Sequence, residues 1–177
     1  MIGQKARAAT LGIVLIAAAG SAVGQSQFDW AGKQGDWDVF HTGEGASRVC
    51  WIVSEPKRST ARRGGSTVSV NRGSMYLMVA VRPSQNVRNE VSTVIGYTFQ
   101  NNSTVRVDIG NANFTMFTDG DKAWLENAAA DDRVAEAMRR GAEATVTGVS
   151  SRGTTTIDTY SLTGFTAALN EAQRLCS

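Results

Sequence analysis

A single histidine, His41, serves the whole chain. A Ser-His-Asp or Cys-His centre would have to be built on it. It lies at the edge of an expected strand, and no G-x-S-x-G motif accompanies it. Cysteine is as scarce: Cys50 and Cys176 are the only two, which leaves one intramolecular pairing. Neither belongs to a C-x-x-C, so a structural staple is expected and a redox pair is not. One histidine and a disulfide would leave zinc only carboxylates. Asp119-Gly-Asp121 is a fragment of a calcium-type cluster and reads as a plain turn. Arg62-Arg63-Gly64-Gly65 precedes a strand, so it lacks the helix N-terminus that holds a phosphate. Asp131 and Asp132 are the obvious carboxylate pair for glycoside hydrolysis. Adjacent positions on a helix do not face one target, and both read as caps. We therefore expect no enzyme, no cofactor and no metal.

Long apolar runs are also missing, with one exception. Leu11–Ala19 is an apolar stretch behind Lys5 and Arg7, and Ala22-Val23-Gly24 supplies the small residues of a cleavage site. Residues 1–24 are expected to be a signal peptide cut after Gly24, leaving a chain that does not span a membrane and resides in the periplasm or outer envelope. The run is short for a hydrocarbon core of about 30 Å. Export implies an oxidising compartment, which suits a Cys50–Cys176 disulfide. The 18 cations and 16 carboxylates of the whole chain come to near balance once Lys5 and Arg7 are lost. Net charge then gives no argument for nucleic acid.

What the chain has in quantity is Gly, Thr, Ser and Val, with only 2 prolines. That composition favours strands and tight turns. Residues 25–36 read as a polar leader with Phe28 and Trp30 as surface anchors, and residues 37–177 as one domain. Trp37–Thr42 alternates, with Trp37, Val39 and His41 on one side. Arg48–Ser54 is a continuous apolar run, read as a central strand. Glu55–Gly65 reads as an exposed loop. Thr67–Asn71 and Ser74–Arg82 read as a hairpin turning through Asn71-Arg72-Gly73. Further strands are expected over Glu90–Phe99, with Gly96 as a bulge or close approach, and over Thr104–Ile109, Asn113–Thr118 and Lys122–Trp124. Glu143–Val149 hairpins into Thr154–Leu162. A helix over Asp131–Arg140 is capped by Asp131 or Asp132 and ended by Gly141. In the last helix, capped by Thr163, residues Phe165, Ala168, Leu169, Ala172 and Cys176 form one stripe. About nine or ten strands and two short helices imply a mainly β fold: an antiparallel sandwich or partly closed barrel.

One constellation offers a surface. Lys57, Arg58, Arg62, Arg63 and Arg72 fall within a short span and are candidate contacts for an anionic surface, such as lipid head groups or envelope polysaccharide. The plain alternative is a solvated loop that keeps a sheet edge soluble. Aromatic residues are not interleaved, which disfavours single-stranded nucleic acid.

Several segments together resemble the bacterial invasion-associated locus B family: G-D-W-D-V near the start of the domain, the Cys50-Trp51 strand, V-N-R-G-S-M-Y-L-M-V-A-V-R-P, T-D-G-D-K-A-W, D-D-R-V-A-E-A-M-R-R-G-A, and the closing D-T-Y-S-L-T-G-F-T-A-A-L. The resemblance covers nearly all of Trp37–Cys176. It implies an exported, β-rich envelope domain and carries no catalytic residues over. Better-known members hold additional mid-chain cysteines, whereas Val105–Trp124 has none. The reading is a non-enzymatic binding or structural domain that recognises an envelope component or partner protein. Its contacts would be the Glu55–Arg72 region and exposed aromatics such as Trp30. The alternatives are a small-molecule or lipid-binding β module, its pocket lined by Met75, Met78, Phe114, Met116 or Phe117, and a hydrolase using a carboxylate pair.

Overall fold

The computed structural model describes residues 28–177; the expected signal peptide and its cleavage position lie outside them. Among the described residues, twelve strands form one sheet. The first three are β1 (Asp29–Gln34), β2 (Trp37–Thr42) and β3 (Val49–Ser54). After them come β4 (Arg58–Arg63), the two-residue β5 (Ser66–Thr67), β6 (Tyr76–Arg82) and β7 (Val87–Val94). The meander β8 (Thr104–Ile109), β9 (Ala112–Asp119) and β10 (Lys122–Trp124) precedes helix α1 (Ala128–Arg140). The chain closes with β11 (Glu143–Val149), β12 (Thr155–Ser161) and helix α2 (Phe165–Leu175).

The sheet order is β1-β2-β3-β6-β7-β10-β9-β8-β11-β12-β4-β5, and the strand pairings are antiparallel. β3 and β4 are thus far apart in the sheet, yet only Glu55, Pro56 and Lys57 separate them in the chain. Four Cα steps reach at most about 14 Å. The sheet must therefore roll until its two ends approach. Ladder hydrogen bonds do not close the ring. The seam is held instead by Asp36 N–H donating to the Thr163 carbonyl at 3.0 Å, Trp37 Nε1 to the Ser161 carbonyl at 3.0 Å, and Lys57 N–H to the Thr159 carbonyl at 2.7 Å. This is the partly closed form of the expected architecture.

Strand periodicity decides what faces inward. Trp37 and Val39, Cys50 and Ile52, Leu77 and Val79, Val105 and Val107, Ala144 and Val146 are buried, each two residues from its companion. The face of β12 that composition could not assign is Thr154, Thr156, Asp158, Tyr160 and Leu162, all buried. The expected stripe of α2 is the one that packs: Phe165, Ala168, Leu169 and Ala172 are buried, Phe165 meets Trp37 edge-on at 5.1 Å, and Cys176 is bonded to Cys50.

Several expectations need correction. Asp29–Gln34, read as part of a polar leader, is strand β1, paired along β2 with a bulge between Trp30 and Gly32. The Glu55–Gly65 loop is largely strand β4: only Ala61 is buried within it, so its apolar signal was too sparse to read. It hairpins with β5 across Gly64-Gly65, both at positive φ. The expected Thr67–Asn71 partner of Ser74–Arg82 is not a strand; β6 pairs with β3 and β7 instead. Asn127, not Asp131 or Asp132, caps α1, accepting from Ala130 N–H at 3.0 Å. Asp131 and Asp132 turn to β7, where Asp131 accepts from Val91 N–H and Asp132 from the Asn89 amide. α2 starts at Gly164 with no side-chain cap; Thr163 gives its carbonyl to the seam and its N–H to the Ser161 hydroxyl. Gly96 is the close approach expected of it: at φ +73, an added Cβ would lie 2.5 Å from the Gly73 carbonyl oxygen.

Candidate recognition surface

The strands that bury one face also carry apolar side chains on the other. Register places Trp30, Phe40, Trp51 and Ala80 in one cross-strand row on the outer side. The next row holds Val53, Met78, Ser92, Trp124 and Phe117. Phe40 and Trp51 stack at 5.8 Å with rings 15° apart, and Phe28 meets both edge-on at 5.7 and 6.1 Å. Phe117 stacks on Trp124 at 5.9 Å. Phe28 is 50% exposed, Trp30 62% and Phe117 50%. α2 packs on the inward side and leaves this face open, while the first turn of α1 borders it across a cleft shared with Phe117 and Trp124. Aromatic contacts and cross-strand packing preorganise it.

Polar groups at its margin are already engaged. Asp38 accepts from Trp30 Nε1 at 3.0 Å and pairs with Lys33 at 2.9 Å. The Asp38 hydrogen bond and charge hold the Lys33 ammonium above its usual range. Arg82 pairs with Glu90 at the other end of the first row. The face is apolar at its centre and internally neutralised at its rim. The sequence reading had Phe28 and Trp30 as anchors but not the face. The apolar character of both faces of β3 and β6 was read only as the mark of central strands.

The five basic residues do not form one cluster of free charge. Lys57 pairs with Asp36 at 2.5 Å, and that bond, with one from Ser161, holds the Asp36 carboxyl below its usual range. Arg58 Nη2 donates to both carboxylate oxygens of Glu143 at 3.0 Å. Arg63 donates twice to the Thr154 hydroxyl, at 2.8 and 2.6 Å. Arg72 is turned inward, 7% exposed, onto the fully buried Asp158. Arg62 alone of the five is an exposed side chain with no partner. His41 stands opposite Cys50 in the β2–β3 ladder, its Nδ1 3.9 Å from Asp29. That cysteine's sulfur is committed to the disulfide.

The residues expected to line an internal ligand pocket also separate. Met116 is in the core and Met78 lies on the outer face, while Phe114 and Phe117 line different open clefts. One cleft, about 540 Å³, runs between α1 and β7 and includes Asp131. Burial pushes the Asp131 carboxyl up to about 6; the Val91 N–H opposes this, and the charges of Glu90 and Asp132 add to it. A larger cleft of about 710 Å³ lies beside it, along the flank of α1.

The model of the invasion associated locus B (IalB) protein family matches residues 37–173. No curated protein matches the chain. Among solved structures, the crystal structure of invasion associated protein B from Bartonella henselae is similar at 14% identity, with 81% of this chain and 95% of that chain covered and a TM-score of 0.54. At that identity the likeness speaks for the fold. The family match spans nearly all of the sheet and most of α2, from the first buried tryptophan, Trp37, to Gln173. The chain belongs to the invasion associated locus B family.

Proposed function

We propose that the chain is an exported, non-enzymatic binding domain of the bacterial cell envelope, and that its outer aromatic face receives a partner protein. The observation that carries this is the continuous Phe28–Trp30–Phe40–Trp51–Val53–Met78–Trp124–Phe117 face on a rigid sheet. Protein interfaces are enriched in Trp, Phe and Met at their centres, with polar rims. Here the rim's charges are spent on each other, so attraction rests on apolar burial. Trp30, Phe28 and Phe117 supply the exposed area. Export is supported by the Leu11–Ala19 run with its cationic start and small-residue cleavage pattern. The Cys50–Cys176 disulfide agrees with an oxidising compartment. Of Lys57, Arg58, Arg62 and Arg63 only Arg62 is left without a partner, so these cations contribute little to partner binding.

A photo-crosslinking residue placed at Trp30 or Phe117 in intact cells should capture one discrete protein. The same residue at Arg106, on the outer face of β8, should not. With that protein purified, Trp30→Ser together with Phe117→Ser should weaken binding at least tenfold, while neutralising Lys57, Arg58, Arg62 and Arg63 should change it little. Capture of lipid or polysaccharide alone, or equal crosslinking from all positions, would overturn the assignment of the face to a protein.

A further inference from the structure

The 710 Å³ cleft on the flank of α1 has a composition that neither the fold nor the aromatic face explains. Four arginines line it, Arg88 from β7 and Arg133, Arg139 and Arg140 from α1, against two carboxylates, Asp132 and Glu136. Its apolar lining is Phe114, which packs against the core, with Ala112 and small alanines of α1. The volume is in the range of small-molecule sites.

Most of the polar lining is already satisfied within the protein. Glu136 accepts from Arg140 at 2.7 Å, and Arg139 donates to Asn170 at 3.1 Å. The Asn89 amide is held from both sides, donating to Asp132 at 2.7 Å and accepting from Gln173 at 2.9 Å. Arg88 and Arg133 are left over: both are exposed at the cleft and neither has a hydrogen-bond or ion-pair partner. The cleft therefore combines a fixed polar wall, an apolar floor and two uncommitted guanidinium groups. A guanidinium presents a planar fork of donors that matches carboxylate or phosphate oxygens.

We propose that this cleft binds an amphipathic anion, a phosphate or carboxylate carried on an apolar body, with Arg88 and Arg133 holding the head group and the Phe114 side of the cleft holding the body. The site uses none of the aromatic face's side chains, although Arg88, Asn89 and Asp132 also line the adjoining cleft that reaches Phe117 and Trp124, and it does not rest on the protein-partner reading. Isothermal titration with dodecyl phosphate and with laurate, each below the concentration at which it forms micelles, tests it on the mature protein and distinguishes the two head groups. Saturable one-to-one binding is expected for at least one of them. Neither inorganic phosphate, which lacks the body, nor dodecyl maltoside, which lacks the charge, should bind comparably. Arg88→Gln with Arg133→Gln should weaken binding at least tenfold without changing the melting temperature. Ala112→Trp, at an exposed position of the lining, should block the cleft while both arginines remain. Absence of saturable binding to the parent would overturn the proposal. So would equal affinity in the double arginine variant, or equal affinity for the uncharged amphiphile.

Discussion

Asp158 is wholly buried on β12 and receives two nitrogens of Arg72, at 2.8 and 2.5 Å, from a segment 86 residues away in the sequence. Burial opposes the charge on Arg72, but the hydrogen bonds and charge of Asp158 prevail and hold its pKa above the ordinary value. Its guanidinium lies 5.8 Å from the centre of the Tyr97 ring, whose hydroxyl meets Thr156 at 2.7 Å. Burial pushes the Tyr97 phenol up to about 12, with Thr156 and Arg72 opposing. The irregular stretch before β6 is thus pinned to the sheet from inside.

Breaking that pair from one side strands a charge in the interior. Asp158→Ala should cost about 3–5 kcal/mol, read as a shift of the urea midpoint. Arg72→Met combined with Asp158→Leu should cost less than Asp158→Ala, because no lone charge remains. A loss below about 1 kcal/mol for Asp158→Ala would mean that the pair is not buried in solution.

Asp131 makes stability pH-dependent in the direction opposite to most salt-bridged carboxylates. Its folded pKa, about 6, lies above the ordinary 3.8. Between those values the folded state binds more protons than the unfolded one, so stability falls as pH rises through this window. Asp131→Asn keeps an acceptor for the Val91 N–H and removes the ionisation. It should melt higher than the parent above pH 6 and lose that advantage below about pH 4. Melting curves from pH 4 to 8 check this, and an offset independent of pH would contradict it.

The Cys50–Cys176 bond closes a separation of 126 residues. The chain-entropy model assigns such a loop up to roughly 5 kcal/mol. Cys50→Ser should lower stability by about 2–5 kcal/mol, read from the denaturation midpoint, and expose one thiol, from Cys176. Titration of the native protein should find none, and two titratable thiols would sink the pairing.

Gly96 and Gly153 separate two costs of replacing glycine. Both have positive φ, +73 and +72, but an added methyl at Gly153 meets nothing within 4 Å, whereas at Gly96 it strikes the Gly73 backbone. Gly153→Ala should cost about 1 kcal/mol from backbone conformation alone. Gly96→Ala should cost clearly more, because backbone must move as well. Equal losses would show that the Gly73–Gly96 approach relaxes freely.

Strands with clean alternation or a continuous apolar run were legible from the residues: Trp37–Thr42, Thr104–Ile109 and Glu143–Val149 keep the expected bounds. The α2 stripe and its cysteine were legible for the same reason. β1 and β4 were not, because each shows solvent on most of its positions and owes its strand state to a neighbour, β2 or β12. The caps failed where a side chain had a better tertiary use: Asp131 satisfies β7 rather than its own helix. The basic set was legible only as composition. Which cations find partners depends on Asp36, Glu143, Thr154 and Asp158, all distant in sequence, and proximity along the chain carries no information about them. The outer aromatic face was missed because it is assembled across strands rather than along one.

The three-residue link from β3 to β4 has a kinetic meaning. Hairpins such as β1–β2–β3, β8–β9 and β11–β12 can form early from neighbours in sequence. β4, although tied to β3 by Glu55–Lys57, has its sheet partner in β12, which is synthesised about a hundred residues later. Until β12 arrives, β4 has no inward ladder and the rolled ends have nothing to meet. The final docking should therefore be slow, on the millisecond-to-second scale of non-local β pairing. During that interval the β4 backbone is open to any strand that reaches it first.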